Sequence, residues 1–199
     1  MLDSRSAAAL RLSLAAASLA ITAPALAQRS VTFSPASRIV IEGRSNVHAW
    51  TCATSSFEAT ATAPDLPATE SGSKLTALAL SIPVKSIDCG HGDMNRNLQK
   101  AMHADEHEMI TFRMSSYEAV KKGDSYDAVM RGTLTINGVD KPVDVRASVT
   151  PNASGGAEVV GSTPLKTTDY NVQAVKVMLG TLRTSPDVTI TFRLTALRQ

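Results

Sequence analysis

The chain has 199 residues, enough for one domain with a substantial core. Its 20 Lys and Arg against 18 Asp and Glu leave a formal charge of +2, without the strong basic excess that a phosphate-binding surface shows, which argues against a nucleic-acid partner. Aromatic residues are only 4% of the chain and Trp50 is the single tryptophan, too few for base or sugar stacking to be the theme.

The first stretch reads as an export signal. Arg5 and Arg11 form a positive n-region, Leu12 to Thr22 is a short apolar h-region, and Ala25-Leu26-Ala27 has the small-x-small form of a cleavage site. The apolar run is far short of the roughly 20 residues of a membrane span. Residues 1–27 are therefore expected to be removed, leaving 28–199 as a single domain in the periplasm with no stable membrane insertion. No Cys follows the cleavage site, so no lipid anchor is indicated there.

Strand signals then follow one another. Arg38 to Ser45 alternates around Ile39 and Ile41, and Asn46-Val47-His48 reads as a bend. Trp50 to Ala63 is a Thr- and Ala-rich strand with Phe57, Ala59 and Ala61 on one parity, and Ala63 to Ser73 is a loop. Leu75 to Val84 places Leu78, Leu80, Ile82 and Val84 on one face. From Asp93, expected as the N-cap, the period becomes helical through Met94, Leu98, Ala101 and Met102. Strands resume with Ile110, Phe112 and Met114, and later with Val159 to Leu165 and Val188 to Leu197. Two cysteines in an exported chain read as one disulfide. Cys52 opens one strand and Cys89 closes the next; a bridge within one chain or between two copies, hence a homodimer, both remain open.

The most sharply specified stretch is Val129 to Val149, where two alternating segments meet at Asn137-Gly138, the favoured pair for a two-residue type I′ turn. That turn sets Ile136 opposite Val139, Leu134 opposite Lys141, Met130 opposite Val145 and Ala128 opposite Ala147. On the other face it sets Thr135 opposite Asp140 and Arg131 opposite Asp144. A one-residue slip would bury the charges. Consistent parity from strand to strand points to an all-β protein: an eight-stranded antiparallel barrel with one short inserted helix, closed because closure removes exposed edges.

The stretch Gly132-Thr133-Leu134-Thr135-Ile136-Asn137-Gly138-Val139-Asp140-Lys141-Pro142-Val143, with Ser86-Ile87-Asp88, Ile110-Thr111-Phe112, Thr168-Asp169-Tyr170 and Val188-Thr189-Ile190-Thr191-Phe192 in that order and spacing, resembles the YceI-like family of exported lipocalin-like barrels. The resemblance runs from about Phe33 to Leu197. It implies a carrier that holds an isoprenoid or other lipid chain, such as a quinone tail, in its lumen, with no cofactor beyond that hydrophobic ligand. The chain departs from the family at Cys89, where many members have Thr, and at Asn171, where Gly is usual. It also lacks the aromatic and Pro residues usual before Ile110.

The lumen candidates are the inward side chains Ile41, Leu78, Leu80, Ile82, Phe112, Met114, Met130, Leu134, Val145, Phe192 and Leu194. A dry lumen suits a lipid chain at roughly 0.8 kcal/mol per buried CH₂; the competing reading is that these side chains simply fill the barrel, making it an interaction module. A second alternative is a metal site on His103 and His107, four residues apart on an extension of the helix, with His91 upstream. An enzyme is not expected: there is no Gly-x-Ser-x-Gly, no His-Glu-x-x-His and no glycine-rich phosphate loop.

Overall fold

The computed structural model describes residues 29–62, 75–153, 155–177 and 182–197. The expected signal segment and the loop expected at 63–73 lie outside the described residues. Eleven strands are described: β1 (Arg29–Val31), β2 (Arg38–Ser45), β3 (Ala49–Thr54), β4 (Glu58–Thr62), β5 (Ala77–Pro83), β6 (Met109–Lys122), β7 (Ser125–Ile136), β8 (Val139–Pro151), β9 (Ala157–Lys166), β10 (Lys176–Val177) and β11 (Leu182–Ala196). One α-helix, α1 (Gly92–Ala101), stands between β5 and β6.

The strands form one sheet in the order β1-β4-β5-β6-β7-β8-β9-β11-β2-β3, with β10 pairing to β11 off this path. Neighbours on that path run antiparallel. The sheet curls until its first strand reaches its last long one. β1 pairs with β4, while just beyond it Ser34 N–H donates to Thr195 O and Leu197 N–H to Thr32 O, each at 2.9 Å.

Eleven strands are described where eight were expected because one long run is broken in two and two short strands, β1 and β10, are added. The run expected from Trp50 to Ala63 stops at Thr54 and restarts at Glu58. Thr54 Oγ1 accepts the Ser56 N–H at 3.0 Å and lies 2.8 Å from Ser86 Oγ, so side-chain bonding there displaces the ladder. A short strand, β1, precedes Arg38 as well, separated from β2 by a turn that contains Pro35.

The Asn137-Gly138 hairpin has the register read from its sequence, from Ile136–Val139 through Arg131–Asp144 to Ala128–Ala147. Both turn residues have positive φ, 51° and 72°. On the outer face Thr135 Oγ1 donates to Asp140 Oδ1 at 2.7 Å, and the Arg131 guanidinium lies 2.7 Å from Glu118 and 3.7 Å from Asp144. Asn171, where the family usually has Gly, adopts the left-handed conformation with φ 55°.

The helix differs from expectation at both ends. Its N-cap is His91, with Asp93 inside the first turn. At its C-terminus His103 takes φ 47°, with His103 N–H donating to Lys100 O and Ala104 N–H to Gln99 O. That left-handed residue and its paired bonds stop the helix, so His103 and His107 do not share a helical face. Met94, Leu98 and Ala101 pack against the buried cluster that contains Ile82, Val84, Ile87 and Met102, and the helix thereby covers one end of the curled sheet.

Candidate functional site

Inside the curl is a cavity of about 270 Å³. Its wall comes from every long strand because residues of one parity face inward along each. From β2 come Ile39 and Ile41; from β5, Leu78, Leu80 and Ile82; from β7 and β8, Met130, Leu134 and Val145; from β11, Ile190, Phe192 and Leu194. Among the described residues no Asp, Glu, Lys, Arg or His lines it. Lengthwise it runs from Ile136 at the helix end of the β7–β8 hairpin to Val149 at the opposite end.

Ten of the eleven lumen residues read from the sequence lie on this wall: Ile41, Leu78, Leu80, Ile82, Phe112, Met130, Leu134, Val145, Phe192 and Leu194. Met114 does not line it. It packs beside Phe112, Met130 and Ala147 at a break in the β6–β7 register between Met114 and Ser116. The extra residue shifts the alternation. Tyr117, opposite Met130, therefore faces the lumen where strict alternation would have placed Ser116. Burial pushes the Tyr117 phenol above its usual range, with Tyr126 adding to the shift.

Two glycines shape the wall. Gly161 stands opposite Phe192, and Gly132 is a diagonal neighbour of Phe112. A Cβ on Gly132 would come within 2.7 Å of the Phe112 ring, and one on Gly161 would meet the Phe192 ring. Lacking a Cβ, each glycine lets a phenylalanine lie along the wall instead of filling the cavity.

Polar groups in the wall are few. Thr54 is bonded to Ser86 Oγ and so is satisfied. Thr163, on the parity of Leu165 and opposite Ile190, is 9% exposed and its hydroxyl has no partner. Sequence reading missed Thr163 and Tyr117. The first is a polar residue within an apolar parity, and the second is displaced by a bulge.

Cys52 and Cys89 form a disulfide within the chain, 37 residues apart. It joins β3 to the segment before α1, next to the backbone bridge between Ala53 and Asp88. The histidines are not brought together. His91 and His103 are exposed, and the His107 ring packs over Gly138. Among the described residues no three His, Cys, Asp or Glu side chains gather as a metal site.

Comparison with known proteins places this architecture. A UPF0312 protein of Pectobacterium atrosepticum is 32% identical over 102 residues, covering 47% of this chain and 50% of its own. One from Pseudomonas paraeruginosa is 30% identical over 99 residues, covering 47% and 51%. The chain thus spans about half the length of the curated relatives it matches. Among solved structures, Burkholderia cenocepacia BcnA is similar with a TM-score of 0.65 at 24% identity, covering 83% of this chain and 99% of that one. A polyisoprenoid binding domain from Saccharophagus degradans, implicated in plant cell wall breakdown, has a TM-score of 0.64 at 17% identity, covering 88% and 100%. At those identities the two structures establish a shared fold. The model of the YceI-like domain matches residues 27–196, nearly the whole chain, and the chain belongs to the YceI-like family.

Proposed function

We propose that this protein is a periplasmic carrier that holds the chain of an isoprenoid or similar lipid in its lumen, the curled sheet acting as a barrel closed on itself. The observation that carries the reading is the cavity of about 270 Å³ whose wall, among the described residues, has no charged side chain. Space of that size, in an otherwise close-packed interior, gains most from an apolar guest. Family membership and the polyisoprenoid-binding neighbour support the same reading. Binding and release, rather than catalysis, is the role that a wall of Leu, Ile, Val and Phe can perform. The expected export signal and the Cys52–Cys89 bridge favour an oxidising compartment.

A two-chain bilayer lipid is too bulky for that space, so the ligand is a single chain. Native mass spectrometry of protein purified from the cells that make it, followed by organic extraction, tests the proposal. It predicts an added mass that extracts into organic solvent as a single-chain lipid. An empty protein that also fails to take up added long-chain isoprenoids would refute it.

A further inference from the structure

The β6–β7 hairpin outruns its neighbour β5. β5 pairs with β6 only from Pro83–Met109 to Ala79–Arg113, whereas β6 stays paired with β7 as far as Lys122–Ser125. Ser116 to Lys122 therefore has β7 on one side, and among the described residues no strand or loop bonds the backbone on its other side. Six of these seven residues are exposed, Val120 at 70%. An edge of this kind offers its N–H and C=O groups to another chain.

The turn determines which groups are offered. Gly123-Asp124 is a two-residue turn, which makes Lys122–Ser125 a hydrogen-bonded pair, and bonded and non-bonded pairs alternate from there back to Ser116. Tyr117, Ala119 and Lys121 fall in non-bonded pairs, so their backbone N–H and C=O point away from β7, at the free edge. Glu118, Val120 and Lys122 have the other parity and share the outer face with Asp127 and Arg131 of β7. On that face Arg131 lies 2.7 Å from Glu118, and Lys122 lies 3.2 Å from Asp127.

We propose that this edge pairs with a second copy of itself, antiparallel about a two-fold axis at Val120. Ala119 then exchanges both backbone hydrogen bonds with the partner's Lys121, and Lys121 does so with the partner's Ala119. Val120 meets the partner's Val120 in a non-bonded pair, where side chains stand closest, and its exposed apolar surface is covered. Glu118 stands opposite the partner's Lys122, also in a non-bonded pair, where opposite charges attract. The outer face thereby gains a row of alternating sign: Arg131, Glu118, the partner's Lys122 and the partner's Asp127, repeated by the symmetry. Charge selects this register. An axis at Glu118, Lys121 or Lys122 would set like charges against each other, and one at Ala119 would leave Glu118 opposite the partner's Val120. A contact confined to one edge is at the small end of interface sizes, so the dimer is weak and depends on concentration. It does not depend on what the lumen holds.

Sedimentation equilibrium of the purified protein over a range of concentrations is expected to show monomer and dimer in exchange. Lys122→Glu and Glu118→Lys each set like charges across the axis, and each should weaken the dimer about tenfold or more. Mixed in equal amounts, the two variants should associate with each other about tenfold more tightly than either does with itself, because every charge then meets its opposite. Val120→Cys should crosslink between chains about tenfold faster, with copper phenanthroline and oxygen as oxidant, than Val47→Cys, whose position is 68% exposed at the β2–β3 turn. A wild type that stays monomeric at every concentration would overturn the proposal. So would single variants that dimerise as the wild type does, a mixture without preference for unlike pairs, or equal crosslinking at the two cysteines.

Discussion

Single residues decide whether the interior is hollow. Phe192 lies along the wall because Gly161 opposite it has no Cβ. Gly161→Val should push that ring off the wall into the cavity, lowering stability by about 1–3 kcal/mol in urea denaturation and weakening ligand uptake. Asp88 acts on a different property. Its Oδ1 accepts the Asn95 Nδ2–H and the Gly90 N–H, each at 2.9 Å, and these bonds, the Asn95 one foremost, hold its carboxyl below the ordinary 3.8. A carboxylate whose pKa is lowered on folding stabilises the fold above its unfolded pKa and loses that effect as pH falls through the folded value. Asp88→Asn should therefore flatten the fall of the thermal midpoint below about pH 4, read by circular dichroism melts across that range.

At the level of elements, legibility followed the strength of the local constraint. The β7–β8 hairpin could be read to the residue because Asn137-Gly138 fixes the turn and any slip would bury Arg131 and Asp144. The β3–β4 break was not legible: the strand ends at Thr54, which is still paired with Ile39 and whose hydroxyl bonds Ser86, 32 residues away, a partner that no local pattern names. The Ser115 bulge hid Tyr117 for the same reason, since alternation cannot show where a strand gains a residue. The helix end depended on His103 taking a backbone conformation rare for a residue other than Gly, Asn or Asp. The Cys52–Cys89 bridge ties β3 to the segment leading into that helix. Replacing both cysteines with Ala should cost about 2–4 kcal/mol, measured by urea denaturation against the oxidised wild type.

For the whole molecule, parity identified the inward residues but could not show that they leave a space between them. A filled barrel and a hollow one share the same alternation. Hollowness comes from Gly132 and Gly161 flattening two rings, from the helix covering one end, and from curvature that a strand-by-strand reading does not contain. Pro142 and Pro164 stand in the sequence, but that they fall where β8 and β9 stop pairing is a matter of sheet order.

The central claim is that the lumen takes one apolar chain, and a calorimetric series of benzoquinones with alkyl tails of increasing length tests it most directly. Affinity should rise about fourfold per CH₂, the equivalent of ~0.8 kcal/mol each, and level off once the tail fills the apolar cavity. Affinity that is undetectable, or independent of tail length from the shortest member onward, would contradict the account.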